Sequence, residues 1–290
     1  MDELAASYEE CKRLNALHGK TYYLATLLLP KSKRPYVHAL YGFARYADEI
    51  VDDLASTLTV EEKADALGAW GEKILSDLKR GKSDDAVGRA LIDTVNRFDI
   101  PHAHFEAFLH SMTMDLTVQE YQTYEDLMEY VYGSAAVIGL EMVPVLGALD
   151  EGAYECAKNL GIAFQLANFI RDVGEDLDRG RIYLPITELA QSGVTRQMLE
   201  ERVLTPQIVE ALKFQIARVR ALQAQAAPGI LMLEAKSRPC IEAASTLYCG
   251  IVDEVEKIGY DIFNKRATTS SSRRARVAGA ALIKRLLPSH

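Results

Sequence analysis

Aspartates four residues apart occur twice in this chain, each time inside a run that otherwise reads as largely apolar helix. One pair is Asp48 and Asp52, within Asp48-Glu49-Ile50-Val51-Asp52-Asp53; the other is Asp172 and Asp176, within Asp172-Val173-Gly174-Glu175-Asp176. A helix turns every 3.6 residues, so each pair stacks on one face. Stacked carboxylates repel one another, and burying them uncompensated is costly. Hard divalent cations held between two such faces would relieve both penalties. Mg²⁺ takes oxygen ligands, keeps some of its waters and completes its shell with substrate phosphates. The spacing therefore predicts a Mg²⁺-diphosphate site between two helices, with Mn²⁺ as the other ion such oxygen donors suit.

The neighbours extend both faces. Upstream at helical spacing, the first reads Tyr41, Arg45, Asp48, Asp52, four positions within about 60° of one another along about 16 Å of helix. The second reads Gln165, Asn168, Asp172, Asp176, and its last three could offer oxygens to one cation from successive turns. Arg45 and Arg171 are fork-shaped donors that suit phosphate oxygens. A lone Asp-x-x-x-Asp is ordinarily a solvated helix face, as Glu61-Glu62, Asp84-Asp85 and Glu125-Asp126 are read here. Two faces combining acid and polar or guanidinium partners, both in apolar surroundings, are not explained that way.

Helices must position these faces, and the chain reads as helix almost throughout. Ala, Leu, Glu, Lys and Arg dominate, while period-two alternation is scarce. Helices are expected over about 3–16, 20–30, 35–54, 60–79, 84–97, 102–114, 123–148, 151–175, 195–202, 206–234, 238–264 and 274–287. Breaks fall at Pro30, Arg80-Gly81-Lys82-Ser83, Ile100-Pro101, Asp150, Arg179-Gly180-Arg181 and Ala227-Pro228, none long enough to link domains. With 290 residues, 49% of them apolar, a single all-α domain over 1–290 is the expectation. The run of small residues from Gly133 to Gly139 is either tight helix packing or the wall of a pocket.

A net charge of −8 argues against a nucleic-acid partner. Cys11, Cys156, Cys240 and Cys249 are widely spaced and read as reduced thiols. The start, Met-Asp-Glu-Leu, shows no secretory pattern, and the apolar stretch Ser134–Leu149 is interrupted by Glu141 and Pro144. A soluble cytoplasmic protein is expected. Residues 268–290 form a polar hinge followed by a basic amphipathic helix. That helix packs as the last of the fold, or rests on a membrane surface for product hand-off.

Several runs together resemble the squalene/phytoene synthase family from about residue 15 onward. They are His18-Gly-Lys-Thr-Tyr-Tyr-Leu-Ala25, Tyr41 through Asp53, Tyr124-Glu-Asp-Leu with Gly133 through Gly139, Gln165 through Asp178, and Arg179-Gly-Arg-Ile-Tyr-Leu-Pro185. The resemblance implies an all-α isoprenoid synthase fold, with helices surrounding a central cavity. It implies that two allylic isoprenyl diphosphates, here C20 geranylgeranyl diphosphate, are joined head to head through a cyclopropyl diphosphate to phytoene. By motif position, Asp48 and Asp52 would hold Mg²⁺ from one wall, and Asn168, Asp172 and Asp176 from the other. His18, Gly19, Lys20, Thr21, Tyr41, Arg45, Gln165, Arg171 and Tyr248 would hold the diphosphates and the first part of the chains. Residues 177–185 are expected to close as a lid. Gly19 stands where some members have Ser, and Tyr22 where Phe is common.

Three other readings stay open at this point. A C15 enzyme of the dehydrosqualene or squalene type would use farnesyl diphosphate, and the small Thr26, one turn below Tyr22, leans toward the longer chain. A non-catalytic homologue should have lost metal ligands, yet all five are present. Terpene cyclases usually begin their first motif with adjacent aspartates, whereas the adjacent pair here, Asp52-Asp53, ends it.

Overall fold

The computed structural model describes residues 2–52 and 57–286, without the side chains of 52 and 284–286. In chain order the helices are α1 (Glu3–His18), α2 (Lys20–Thr26), α3 (Arg34–Asp52), α4 (Val60–Arg80), α5 (Ala86–Phe98), α6 (His102–Thr117), α7 (Tyr124–Val131) and α8 (Val137–Leu146). There follow α9 (Gly152–Asp178), α10 (Ile186–Gln191), α11 (Arg196–Glu200), α12 (Pro206–Ala226), α13 (Arg238–Tyr248), α14 (Ile251–Lys257) and α15 (Ser271–Leu286). Among the described residues β structure is confined to isolated bridges, Glu120 with Ile182 and Ala148 with Leu233.

Local chemistry fixes many of the ends. Thr59 accepts from the Glu62 amide at 3.2 Å while Glu62 accepts from the Thr59 amide at 2.7 Å, a reciprocal cap that starts α4. Gly81 ends the same helix in the left-handed conformation that closes its last carbonyls. Thr123 and Asp126 cap α7 in the same way, and Thr205 followed by Pro206 starts α12.

Where the elements depart from expectation, the reasons are tertiary or proline-driven. The stretch 206–234 leaves the α-helix at Ala226, because Pro228 cannot donate into it, and continues as a short 3-10 turn. The stretch 238–264 divides at Cys249-Gly250, the stretch 20–30 is helical only to Thr26, and Ile186–Gln191 is a helix the sequence did not announce.

The run 123–148 holds a π turn at Tyr132–Ala136 between α7 and α8. A Cβ on Gly133 would overlap the Ala107 carbonyl of α6, and one on Gly139 or Gly161 would overlap backbone of the facing helix. The small residues thus serve close packing, while Ser134, Ala135, Ile138 and Gly139 also line a cavity. By length and composition alone, Tyr124–Leu146 could cross a membrane; here it is largely buried among the other helices.

Two apolar cores flank the middle of the molecule. One gathers Leu40 and Phe43 of α3 with Leu67, Leu91 and Phe105, and Phe43 stacks on Trp70 at 5.5 Å. The other gathers Leu166 and Ile170 of α9 with Leu127, Leu199 and Ile208. Each acid-bearing helix is therefore anchored in its own core. The tail packs as a last helix: Arg273 of α15 reaches Asp253 at 2.9 Å and Glu254 at 2.7 Å, while Leu282 and Ile283 stay exposed.

Glu141 of α8 is fully buried, and neither of its carboxyl oxygens has a hydrogen-bond partner. Burial alone pushes its pKa well above the ordinary 4.5. The folded chain therefore keeps this proton at neutral pH while the unfolded chain loses it, so stability declines as pH rises above about 4.5. Glu141→Met, which removes both stranded oxygens at similar volume, is expected to gain about 1–3 kcal/mol. The gain should be larger at pH 8 than at pH 5 when melting curves of the two proteins are compared. A gain independent of pH would show that Glu141 ionises in the folded state.

Candidate active site

Helices α3 and α9 face one another across a cavity of about 420 Å³. Tyr41, Arg45 and Asp48 line it from α3; Gln165, Asn168, Arg171, Asp172 and Asp176 line it from α9. Periodicity alone had placed each set on one face, and the fold brings the two faces together. Asp52 closes α3, and its side chain lies outside the described residues, as does all of Asp53.

The α1–α2 corner sits differently. His18, Gly19, Lys20 and Thr21 do not line this cavity, and His18 and Lys20 are exposed. Gly19 reaches the site through Tyr41, since a Cβ there would lie 2.7 Å from the Tyr41 ring and from Asn15 Oδ1. Gly19→Ser should therefore displace Tyr41, raising KM about three- to tenfold with little change in melting temperature. Kinetics at saturating Mg²⁺ would check this, and an unchanged KM would detach Tyr41 from substrate binding.

Charge at the site is unevenly matched. Arg45 donates to Asp48 at 2.6 Å. Arg171 forks onto its neighbour Asp172 at 2.7 and 2.5 Å, and Arg266 approaches the same carboxylate at 3.2 Å. Asp176 is pushed up to about 7 by burial and by the charge of Asp172, with Arg179 and Arg181 opposing the shift. A carboxyl held that way gains most from a nearby cation. Among the described residues no three His, Cys, Asp or Glu side chains converge into a closed metal cage. Asn168, Asp172 and Asp176 instead offer oxygens to an open cavity, the arrangement that fits a cation completed by water and phosphate.

The cavity also has a wall that sequence reasoning missed. Asp115 of α6 accepts from Tyr130 at 2.7 Å and from Tyr183 at 2.8 Å. Arg181 donates to the Asp115 backbone carbonyl at 2.7 Å, and Tyr183 stacks on Phe169 with centroids 4.2 Å apart. Asp115, Tyr130, Arg179, Arg181 and Tyr183 all line the cavity. The available signal was an acid within the apolar face of α6, one turn after Met112. Of residues 177–185, expected as a lid, 182–185 are buried in the cavity wall while Asp178 and Arg179 are exposed. Arg181 bonds back to Asp176, Ile182 to Gln119, and Ile182 through Leu184 are buried.

A second cavity of about 250 Å³ adjoins the first and is lined almost wholly by apolar side chains. Tyr22, Ser134, Ile138 and Gln165 line both. The Tyr22 phenol meets Met142 Sδ at 3.3 Å and its ring lies 5.4 Å from that of Tyr41. Thr26 is buried in the apolar wall, its hydroxyl turned onto the Tyr22 carbonyl at 2.9 Å. Tyr248 lines this second cavity rather than the first and stacks on Phe164 at 4.7 Å. Burial and the nearby Tyr41 push its phenol up to about 12.

A helical cage in which two acid-bearing helices face each other above an apolar chamber is the isoprenoid synthase fold. A crystal structure of a dehydrosqualene synthase superposes with a TM-score of 0.87, at 28% identity and covering 97% of both chains. The chain belongs to the squalene/phytoene synthase family, whose pattern it matches over residues 16–274. Phytoene synthase 1 of Arabidopsis thaliana, a chloroplastic protein, is 40% identical over 271 residues, covering 91% of this chain and 63% of the relative. The 15-cis-phytoene synthase of Synechococcus elongatus is 38% identical over 276 residues, covering 91% of this chain and 88% of the relative. Membership implies Mg²⁺-dependent condensation of prenyl diphosphates.

Proposed function

We propose that this protein is a phytoene synthase, a prenyltransferase of carotenoid biosynthesis that joins two geranylgeranyl diphosphates head to head. The observation that carries this is the pair of adjoining cavities, one rich in acid and guanidinium groups and one apolar, on a chain whose relatives bear that name. The polar cavity takes diphosphates and the apolar cavity takes prenyl chains.

Asp48 and Asp52 from one wall, and Asn168, Asp172 and Asp176 from the other, would hold Mg²⁺, which when bound would supply Lewis-acid charge to the leaving diphosphate. Arg45 and Arg171 fork onto diphosphate oxygens, exchanging their present carboxylate partners for phosphate. Tyr41 and Gln165 orient the head of each substrate and Tyr248 the first part of its chain, with His18 to Thr21 at the α1–α2 corner beyond Tyr41. When the allylic C–O bond breaks, its electron pair leaves with diphosphate and an allylic cation remains. Phe169, Tyr183 and Tyr130 wall off water and turn aromatic surface toward that cation. Attack by the second substrate's double bond and loss of a proton give a cyclopropyl diphosphate. A second ionisation, rearrangement and proton loss give phytoene.

Thr26 supports the C20 choice, because a small side chain at that depth leaves the apolar cavity open. A cytoplasmic location with peripheral membrane contact belongs to the same proposal, the membrane contact supported by exposed Leu282 and Ile283 on a helix that begins with arginines.

The test is incubation of purified protein with Mg²⁺ and, separately, C15 and C20 allylic diphosphates, without reductant, followed by mass analysis of extracted hydrocarbon. A C40 hydrocarbon from the C20 substrate supports the proposal. A C30 product would move the protein to the farnesyl-using branch, and no condensation product would reject a synthase.

A further inference from the structure

Of the four side chains that line both cavities, Ser134 stands out, because its Oγ is buried and has no hydrogen-bond partner in the protein. It lies within the π turn Tyr132–Ala136, and π turns redirect side chains where a function needs them. That turn is held from two sides. Gly133 lets the backbone pass against the Ala107 carbonyl, and the buried Ser111 hydroxyl donates to the Tyr130 carbonyl at 2.8 Å just before it. A hydroxyl placed between the two cavities by a supported backbone irregularity, and left unpaired there, calls for a partner from whatever spans both.

Taking the reaction proposed above, what spans both is the head of an allylic diphosphate. Its chain lies on the apolar side and its phosphorus on the polar side, with the ester oxygen between. We propose that Ser134 donates a hydrogen bond to the oxygen that bridges C1 and phosphorus in the substrate being ionised. As the C1–O bond breaks heterolytically, its electron pair stays on that oxygen, which becomes more negative. The hydrogen bond then strengthens, the proton remains on Oγ, and no co-reactant is consumed. An interaction that grows along the reaction lowers the barrier more than it tightens binding. Ser134 is thus a catalytic residue for leaving-group departure, additional to the two acid faces and the arginines.

The test compares the full-length wild type with Ser134→Ala and Ser134→Thr. Diphosphate release is followed at saturating Mg²⁺ with C20 and with C15 allylic diphosphate, alongside melting temperature. The expected result for Ser134→Ala is a fall in kcat of about tenfold, with KM within about twofold and an unchanged melting temperature. Ser134→Thr, which keeps the hydroxyl, should recover kcat to within about threefold of wild type. Because the contact is at C1, the ratio of Ala variant to wild type should be the same for any chain length the enzyme accepts. If wild type releases diphosphate and Ser134→Ala retains its kcat, or Ser134→Thr fails as badly as Ser134→Ala, the assignment is wrong while the synthase function stands. If wild type releases diphosphate from neither substrate, both fall together.

Discussion

Asp172→Ala is expected to lower Mg²⁺-dependent diphosphate release by about 10³-fold or more. Asp172 is the most heavily engaged carboxylate on the α9 face: Arg171 forks onto it at 2.7 and 2.5 Å, and Arg266 stands 3.2 Å away. Its charge is also one cause of the raised pKa of Asp176, one turn further on. Removing it takes a negative charge from the centre of the proposed cation site and leaves Arg171 without its fork partner. Asp172→Asn keeps the shape and one oxygen, so it separates lost charge from lost packing, and it should fail nearly as badly. Asp172 is only partly buried, so neither change should shift the melting temperature by more than a few degrees. Titrating Mg²⁺ against each variant decides the matter. Release within tenfold of wild type at saturating Mg²⁺ would remove Asp172 from the metal site.

Much of this site was legible because it rests on local geometry. Offsets of three and four put Tyr41, Arg45 and Asp48 on one helix face, and Gln165, Asn168, Asp172 and Asp176 on another, whatever the remainder of the chain does. The caps at Thr59, Gly81, Thr123 and Thr205 are equally local. What stayed hidden depends on distant backbone meeting. The π turn follows from the approach of Gly133 to Ala107, and a periodicity reading treats that stretch as uninterrupted helix. The resemblance suggested a lid at residues 177–185 to keep water from the cation, yet Ile182 is fixed to Gln119 from a loop some sixty positions earlier. The resemblance assigned His18 to Thr21 a role at the diphosphates, but these residues do not line the polar cavity, and Gly19 alone of them approaches it, by way of Tyr41. Arg266, on the segment after α14, reaches Asp172 only because the C-terminal region folds back across α9.

Asp115 is the clearest case of a residue the linear pattern undervalues, and the second large effect is expected there. Its carboxylate is nearly enclosed and accepts the phenols of Tyr130 from α7 and Tyr183 from the 177–185 wall, while Arg181 holds its backbone carbonyl. Both phenol pKa values are raised, by burial first and by the Asp115 charge next, so these tyrosines stay protonated and their hydrogens point at Asp115. Their oxygen lone pairs are thereby left to other neighbours in the cavity wall. Asp115→Leu strands two buried phenols and takes a charge from beside Arg181. The expected cost is about 3–5 kcal/mol, seen as a fall in melting temperature of about 10 °C. Asp115→Asn distinguishes wall-building from orientation. Its amide can accept one phenol but presents a donor toward the other, so one tyrosine must turn. Stability should then drop by only about 1–3 kcal/mol, while diphosphate release falls about 10²-fold, because a cavity wall displaced by about 1 Å no longer orients the substrate. The discriminating measurement is the ratio of activity loss to stability loss in the Asn variant. If Asp115→Asn melts much lower but turns over normally below its melting point, Asp115 only builds the wall. If it melts nearly as wild type and turns over poorly, Asp115 orients Tyr130 and Tyr183 for the reaction.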